Sequence, residues 1–425
     1  MEKYDVAVVG GGFAGFAAAV AAARGGAKTI LIEKTNSLGG AVSWGLVQPF
    51  MCYGTKIDGK TVALSRGIFE QVCNEMKKML LEIDGIEVNS ALVGRLDEEY
   101  LKIIFNRMAT ESGVQLLFHS HVIGADVSDG RIKSVTVASR SGKFDIEADR
   151  FIDASGDANL AYMCGCSCRL GRDDGLCQPM TLNFRLANVD PEVARNLPKK
   201  EINTLYKQFQ QEGKIKNPRE DVLMFLNYNE GFVHFNSTRV VKLNPTDPFD
   251  LTKAELMARE QVLELYLFMK NNIRGFEKSR LVMSGSEIGV RESRMIDGEY
   301  LLTGADLKAC TRFDDSIALG NYDIDIHNPE GSGTSHYYFK DGEYYSIPYR
   351  SLIPKGMKNL LVAGRCISVD HDAQASVRIM PIVCTIGEAA GTAAALAKAD
   401  GCDMRDADIA KLRAALAENG AVTEL

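Results

Sequence analysis

Apolar positions cluster in short unbroken runs near the start of the chain and take alternating or helical spacing further on. Asp5–Val9 is an apolar, β-branched run of strand length, followed by Gly10-Gly-Gly-Phe13-Ala-Gly15 and an alanine-rich segment reaching Arg24. Alanine is the best helix former, so the order predicted is strand, glycine turn, helix. A second apolar strand, Lys28–Ile32, follows the Gly25-Gly26 stop and ends in Glu33. Residues 61–81 and 97–112 read as helices. In the second, Leu101, Ile104, Phe105 and Met108 form a stripe at three-to-four spacing behind an N-cap at Asp97. Gln115–Phe118 is a short strand, and His121–Val127 and Arg131–Ala138 alternate around Ser128-Asp129-Gly130 as a hairpin. A further strand at Lys143–Ile146 precedes Asp149–Asp157. From about Gly165 to Ala305 the pattern changes: strand-like Met180–Leu186 and Gly231–Phe235 are separated by helical stretches, one spanning Thr252–Asn272. Lys358–Gly364 is another buried strand, and a small-residue helix begins near Arg378–Pro381 and runs to about Lys398, proline suiting its first turn.

The opening strand–turn–helix–strand is a dinucleotide-binding βαβ unit. Gly10 makes the turn, Gly12 lets backbone approach a pyrophosphate, and Gly15 lets helix and strand pack closely. The pyrophosphate belongs at the helix N-terminus, where free N–H groups and the dipole favour an anion. Glu33, eighteen residues past Gly15, accepts from ribose hydroxyls and disfavours a 2′-phosphate, which argues against NADP. NAD and FAD both satisfy this unit. Gly285-Ser-Glu-Ile-Gly289 lacks a leading strand and a third glycine, so the pattern holds one dinucleotide site.

With 425 residues, 46% apolar and 25% charged, the chain is long enough for two or three packed domains of ordinary globular composition. A net charge of −7 gives no reason to expect nucleic acid or an anionic membrane as partner. No uninterrupted apolar run suits a membrane span, and Met1 leads directly into the first strand, which predicts a cytoplasmic protein. Its ten cysteines are then expected as thiols. Cys164, Cys166, Cys168 and Cys177 lack the C-x₂-C spacing usual in zinc and iron–sulfur loops, and no metal is expected.

The doublet Gly39-Gly40, just beyond the acid, is the first feature to favour FAD. Gly10–Gly40 resembles the amino-terminal signature of flavoproteins of the fumarate reductase and amine oxidase type, and Asp149–Asp157 resembles their second signature. Disulfide reductases carry a C-x₄-C pair after this point, whereas here only Cys52 appears. Gln178–Leu182, Arg291–Arg294, Ile347–Pro354, Asn359–Arg365, Ser376–Arg378 and Gly387–Gly391 together resemble a bacterial FAD-dependent oxidoreductase family. The resemblance implies an α/β, Rossmann-like FAD-binding domain (a three-layer βαβ sandwich with a hairpin) assembled from residues 1–44, 95–164 and 346–400. An inserted α+β substrate domain occupies 165–345, with 45–94 as a flap or connecting helices and 401–425 as a C-terminal helix. It also implies non-covalent FAD held by Gly10, Gly12, Phe13, Ala14, Gly15, Glu33, Lys34, Gly39, Gly40, Ala41 and Ser43. Val122, Ala154, Ser155, Gly156, Gly364, Arg365, Arg378, Met380 and Pro381 complete that set, with Val122 near the adenine and the final helix aimed at the flavin O2.

Hydride transfer at carbon leaves a proton to be moved, so a base or acid is needed near N5. His371, in the loop after Gly364, is the candidate by pKa, and Arg378 is the second catalytic candidate, holding a substrate carboxylate or the charge of reduced flavin. Arg291 and Tyr349 are candidates for substrate contact, the latter within a possible aromatic wall of Tyr337, Tyr338, Tyr344 and Tyr345. The leading expectation is an FAD-dependent oxidoreductase moving hydride between flavin N5 and a small polar organic substrate. NAD(P)H or another electron partner would visit transiently. An NAD-dependent dehydrogenase and a non-catalytic flavoprotein are the alternatives. No histidine precedes His119, so the histidyl–flavin link seen near the doublet in some flavoproteins cannot form. Denaturation is accordingly expected to release all yellow colour to the supernatant; colour staying with the precipitated protein would refute this.

Overall fold

In the computed structural model, which describes residues 3–425, a twelve-residue strand, Gly142–Asp153, belongs to two pairings at once. Its first half pairs antiparallel with Arg131–Ser139, which in turn pairs with His121–Ser128. Its second half enters a parallel sheet between Tyr4–Val9 and Leu360–Val362, with Val8 opposite Ile152 and Leu361 opposite the same residue. Thr29–Ile32 and Gln115–Leu117 extend the parallel sheet on the far side of Tyr4–Val9. Buried on both faces, these strands carry continuous rather than alternating apolar residues, as parallel sheets do. This is the expected α/β architecture, a Rossmann-like unit with an attached hairpin meander.

Helix Phe13–Arg24 leaves the first strand at Gly12 and packs against the long helix Met380–Asp400. Glycines make that contact backbone-to-backbone. A Cβ on Gly387 would lie 2.0 Å from the Ala14 carbonyl oxygen, and one on Gly391 would lie 2.0 Å from that of Ala18. Met380–Asp400 is the one helix among the described residues long and apolar enough to cross a membrane, and it is almost wholly buried inside the protein. Below it, Phe13, Phe16, Phe50, Phe69 and Phe105 interlock, with Phe13 and Phe105 edge to face at 5.0 Å.

Residues 45–94 form the hairpin Gly54–Ile57/Lys60–Ala63 and the helix Ile68–Asp84, where the pattern predicts a helix over 61–81. The turn is Asp58-Gly59, both at positive φ, a strong hairpin signal that sets the first residues of that window in a strand. The helix then starts after Gly67, and its Ile68 amide donates to Glu388 Oε2 at 2.9 Å, a contact from the other end of the chain. Helix Glu98–Glu111 is capped by Asp97 as expected, the carboxylate accepting from the Glu99 and Tyr100 amides.

A second core lies within the insertion. Its four-stranded antiparallel sheet runs Met224–Leu226, Val233–Phe235, Phe184–Ala187, Arg280–Ser284, with Phe184 and Phe235 stacked at 4.6 Å and helix Pro248–Asn272 across it. That core draws on residues between Met180 and Ile288 and is narrower than the expected 165–345: Ile317, Ala318, Tyr345 and Ile347 return to the first core. Of the predicted strand Met180–Leu186, Met180 and Thr181 form only isolated bridges to Val240 and Gly289. The two bodies are joined by a buried pair, Arg185 with both carboxylate oxygens of Glu98, to which Gln48 also donates at 3.0 Å. The carboxyl-terminal segment supplies helix Ile409–Glu418.

Two outcomes are expected. Gly387→Ala gains about 1 kcal/mol of helix propensity but sets a methyl group into an unyielding carbonyl. The overlap should win by about 2 kcal/mol net, read as a lower urea midpoint; an unchanged or raised midpoint would contradict the contact. Burial pushes the Glu388 carboxyl up to about 7 from 4.5. Between those values the unfolded carboxyl has released its proton while the folded one keeps it. Stability should therefore fall as pH rises through that window, by up to about 3 kcal/mol, and Glu388→Gln should flatten the slope.

Candidate active site

The turn after Tyr4–Val9, the loop after Glu33, the end of Gly142–Asp153 and the start of Met380–Asp400 enclose a cleft of about 440 Å³. Gly10, Gly12, Phe13, Ala14, Glu33, Lys34, Gly39, Gly40, Ala41, Ala154, Ser155, Gly156, Gly364, Arg365, Arg378 and Met380 all line it. The glycines give the cleft its shape. Gly10 (φ +99°) and Gly364 (φ +104°) hold turns that L side chains rarely adopt. A Cβ on Gly12 would meet nothing nearer than Gly40 Cα at 3.9 Å, so it would project into the open cleft. The N-termini of both Phe13–Arg24 and Met380–Asp400 lack a side-chain cap. Their first amides and their dipoles are thus left for a ligand at this end of the protein.

Glu33 is fixed before any ligand arrives. Its Oε2 accepts from the Gly11 amide at 2.6 Å and its Oε1 from the Thr35 amide and hydroxyl at 2.9 and 2.6 Å. Each carboxylate oxygen has two lone pairs, so capacity remains for hydroxyl donors in the cleft. At the other end Arg365 pairs with Asp157 at 2.7 Å and closes against Gly156. Uncapped amides, a cradle that a valine side chain would fill and an oriented carboxylate together suit a dinucleotide such as FAD, with the diphosphate at Gly12–Phe13 and a ribose at Glu33.

Four expected contacts do not line the cleft. Gly15 faces Gly10, where a Cβ would come within 1.8 Å of the carbonyl oxygen; its role is helix–strand packing. Ser43 is buried and donates to the Leu38 carbonyl at 2.6 Å, which holds the Gly39-Gly40 loop. Val122 is buried in the sheet core, and Pro381 in the first turn of its helix.

A second chamber of about 450 Å³ adjoins the cleft, with Ala41, Gly289, Val290, Arg365, Arg378 and Met380 lining both. The expected Arg291 lines this chamber, donating to the Pro179 carbonyl at 2.7 Å, to Asn236 Oδ1 at 3.3 Å and to the Thr181 hydroxyl. Tyr349 does not: it is 1% exposed in the first core, its hydroxyl donating to the Met404 carbonyl at 2.6 Å. Nor does the aromatic wall form there, since none of Tyr337, Tyr338, Tyr344 and Tyr345 lines the chamber. His371 lines neither space. Its Nδ1 lies 2.8 Å from Glu292 Oε1, and although burial opposes the charge, that carboxylate holds the imidazole pKa above its ordinary value.

Five of the chamber's eleven titratable groups, both its histidines among them, come from the segment Tyr322–His336, which sequence reasoning missed. Asp325 is the hub. Its Oδ2 accepts from the Tyr322 hydroxyl at 2.9 Å and lies 3.3 Å from His327 Nε2 and 3.5 Å from Arg378. Burial alone would raise the Asp325 pKa, but His327, Arg378 and Tyr322 hold it well below the carboxylate range. His327 is pushed down to about 3 by burial and by Arg291. Arg239 can only donate, and its Nη2 sits 3.0 Å from His327 Nδ1, so the neutral ring carries its proton on Nε2, facing Asp325. His336 differs: Nδ1 is held by Asp323 Oδ2 at 2.5 Å, while Nε2 looks toward Asp325 Oδ1 at 3.7 Å. Asp323, Asp325 and His327 stand at alternate positions around the strand Ile324–His327, a period-two pattern that was available as a signal. Elsewhere, Cys164, Cys166 and Cys168 pack against the sheet core, and burial pushes the first two thiols up to about 12. Among the described residues no three His, Cys, Asp or Glu side chains gather as metal ligands.

The comparisons with known proteins agree with this geometry. Dihydrolipoyl dehydrogenase of Schizosaccharomyces pombe is 27% identical over 160 residues, covering 36% of this chain and 28% of that protein. Digeranylgeranylglycerophospholipid reductase of Thermoplasma acidophilum is 27% identical over 210 residues, covering 45% and 48%. The chain thus spans half or less of the length of these curated relatives. In fold it resembles p-nitrophenol 4-monooxygenase of Pseudomonas putida DLL-E4 (TM-score 0.50, 11% identity, 95% of this chain and 83% of that one). It also resembles a flavin-dependent brominase variant (TM-score 0.51, 11% identity, 98% and 84%). The FAD dependent oxidoreductase family matches over residues 5–416, nearly the whole of the chain, and the chain belongs to that family.

Proposed function

We propose that this protein is an FAD-dependent oxidoreductase that binds a small, polar organic substrate in the chamber beyond the cofactor cleft. The observation that carries the reading is the adjacency of the two spaces, with Arg378 and Met380 lining both. When bound, FAD supplies the hydride acceptor or donor, N5 of its ring. The chain does the rest. Gly12 and the Phe13–Arg24 amides receive the diphosphate, Glu33 accepts from a ribose, and the uncapped start of Met380–Asp400 with Arg378 sets a positive field at the junction. NAD(P)H or another electron carrier visits transiently, since a single glycine fingerprint holds a single dinucleotide.

The proton accompanying hydride transfer belongs to His336 rather than to His371. His371 is closed off by Glu292, and both nitrogens of His327 are committed. Asp323 takes the Nδ1–H of His336 and orients the ring, which leaves Nε2 to give or take a proton inside the chamber.

Anaerobic titration of the holoenzyme with a metabolite panel, followed at the flavin absorbance, tests the reading. At least one compound should bleach or restore the flavin; a flavin that none of them changes favours a non-catalytic role. His336→Gln should retain FAD and slow that step by about 10²–10⁴-fold. His371→Gln should leave the chemistry within a few-fold of the parent. The opposite ranking would return the proton to His371.

A further inference from the structure

Resting on that FAD-dependent reading, we propose that the substrate is an organic acid with one carboxylate, held between Arg291 and Arg378, and an apolar body lying along Val47, Met51, Leu223 and Phe225.

The chamber wall carries four guanidinium groups, Arg219, Arg291, Arg365 and Arg378, and four carboxylates, Glu220, Asp221, Asp323 and Asp325. Partners can be assigned one by one. Arg219 pairs with Asp221 at 2.8 Å, and Arg365 with Asp157 at 2.7 Å. Glu220 is taken by Arg239 behind the wall at 3.1 Å, Asp323 by His336 at 2.5 Å, and Asp325 by Arg378 at the long distance of 3.5 Å. Arg291 is left. Among the described residues it has no carboxylate partner, only the carbonyl, amide and hydroxyl oxygens of Pro179, Asn236 and Thr181. The neighbouring Glu292 is turned away, accepting from the Gln178 amide at 2.8 Å and facing His371.

A largely buried cation without a directly paired carboxylate is costly, and an anion that completes it removes the cost. Burial lowers the Arg291 pKa well below its ordinary value, the nearby Arg378 and Arg219 add to the effect, and Asp325 offsets only part of it; an anionic ligand would act in the same direction as Asp325. Donor capacity is left on Arg378, whose Nη2 reaches Asp325 only at 3.4 Å (carbonyl) and 3.5 Å (carboxylate). A carboxylate offers two oxygens with two lone pairs each, a match for two guanidinium forks. Among the described residues Arg291 alone on this wall lacks a directly paired carboxylate, and a single planar carboxylate group matches its guanidinium fork better than a tetrahedral phosphate. Gln374, donating to the Arg291 carbonyl at 2.7 Å, and Gln178, donating to Gln374 at 2.9 Å, fix the backbone beneath the arginine.

The test uses purified holoenzyme and calorimetric titration with hexanoate and benzoate against the isosteric neutral hexanamide and benzamide. At least one acid should bind, tenfold or more tighter than its amide, and Arg291→Met should remove that preference. Arg291→Lys, which keeps the charge and a folded pocket but not the fork, should retain part of it. Equal binding of acid and amide, binding of neither, tighter binding of inorganic phosphate, or an unchanged preference in a folded Arg291→Met would overturn the proposal. Protein purified without flavin would instead count against the cofactor reading. Holoenzyme reduced by neutral compounds, with no acid preference, would sink the carboxylate alone.

Discussion

The contact between helices Phe13–Arg24 and Met380–Asp400 sets the geometry of the site. Their backbones touch through Gly387 and Gly391, so the spacing between them is set by peptide groups rather than adjustable side chains. Both helices begin at the cleft, and both begin without a side-chain cap. Holding the two axes in backbone contact therefore holds two sets of unpaired amides at a fixed separation, one suited to the central diphosphate of a dinucleotide and the other to charge further along it. The alanines that make Phe13–Arg24 nearly apolar all round serve the same end, since it is buried against the sheet on one side and the long helix on the other.

The second determinant is charge allocation in the chamber. Arginines and carboxylates stand there in near balance, and their pairings are specific enough to deactivate some groups and free others. His327 is neutral and committed, His371 is sequestered by Glu292, and His336 keeps one nitrogen for the chamber. Chemistry at this site thus depends less on which titratable residues are present than on which have already been claimed by neighbours.

Legibility followed the range of the forces involved. The nucleotide-binding end is built from local signals, namely a β-branched run, glycines in a turn and an acid at a strand end, and most of the residues expected to line the cleft do line it. The exceptions, Gly15, Ser43, Val122 and Pro381, are packing residues of the same segments, and linear spacing does not distinguish a side chain facing the ligand from one facing the core. The chamber was less legible because its wall is assembled from the insertion and from Tyr322–His336, whose approach depends on long-range packing. His371 looked catalytic because an imidazole is the one side chain of that loop with an ordinary pKa near neutrality; the group that claims it, Glu292, is 79 residues away in sequence. Tyr349 looked like a wall residue but fills the first core. The turn at Asp58-Gly59 carries a local hairpin signal that the helical reading over 61–81 passed over.

The glycine-mediated helix contact also bears on how the protein is made. Phe13–Arg24 leaves the ribosome long before the helix that covers it, Met380–Asp400, from which it is separated by more than 350 residues. At synthesis rates of about 5–20 residues per second, its small apolar surface waits on the order of twenty seconds to a minute for that cover. The central strand Gly142–Asp153 likewise waits for Leu360–Val362. Until then the nucleotide domain is an incomplete sheet with an unclad alanine helix, a state suited to chaperone capture and prone to association with other nascent chains. Early cofactor capture relieves it only in part, because Gly364, Arg365, Arg378 and Met380, which line the cleft, are translated late.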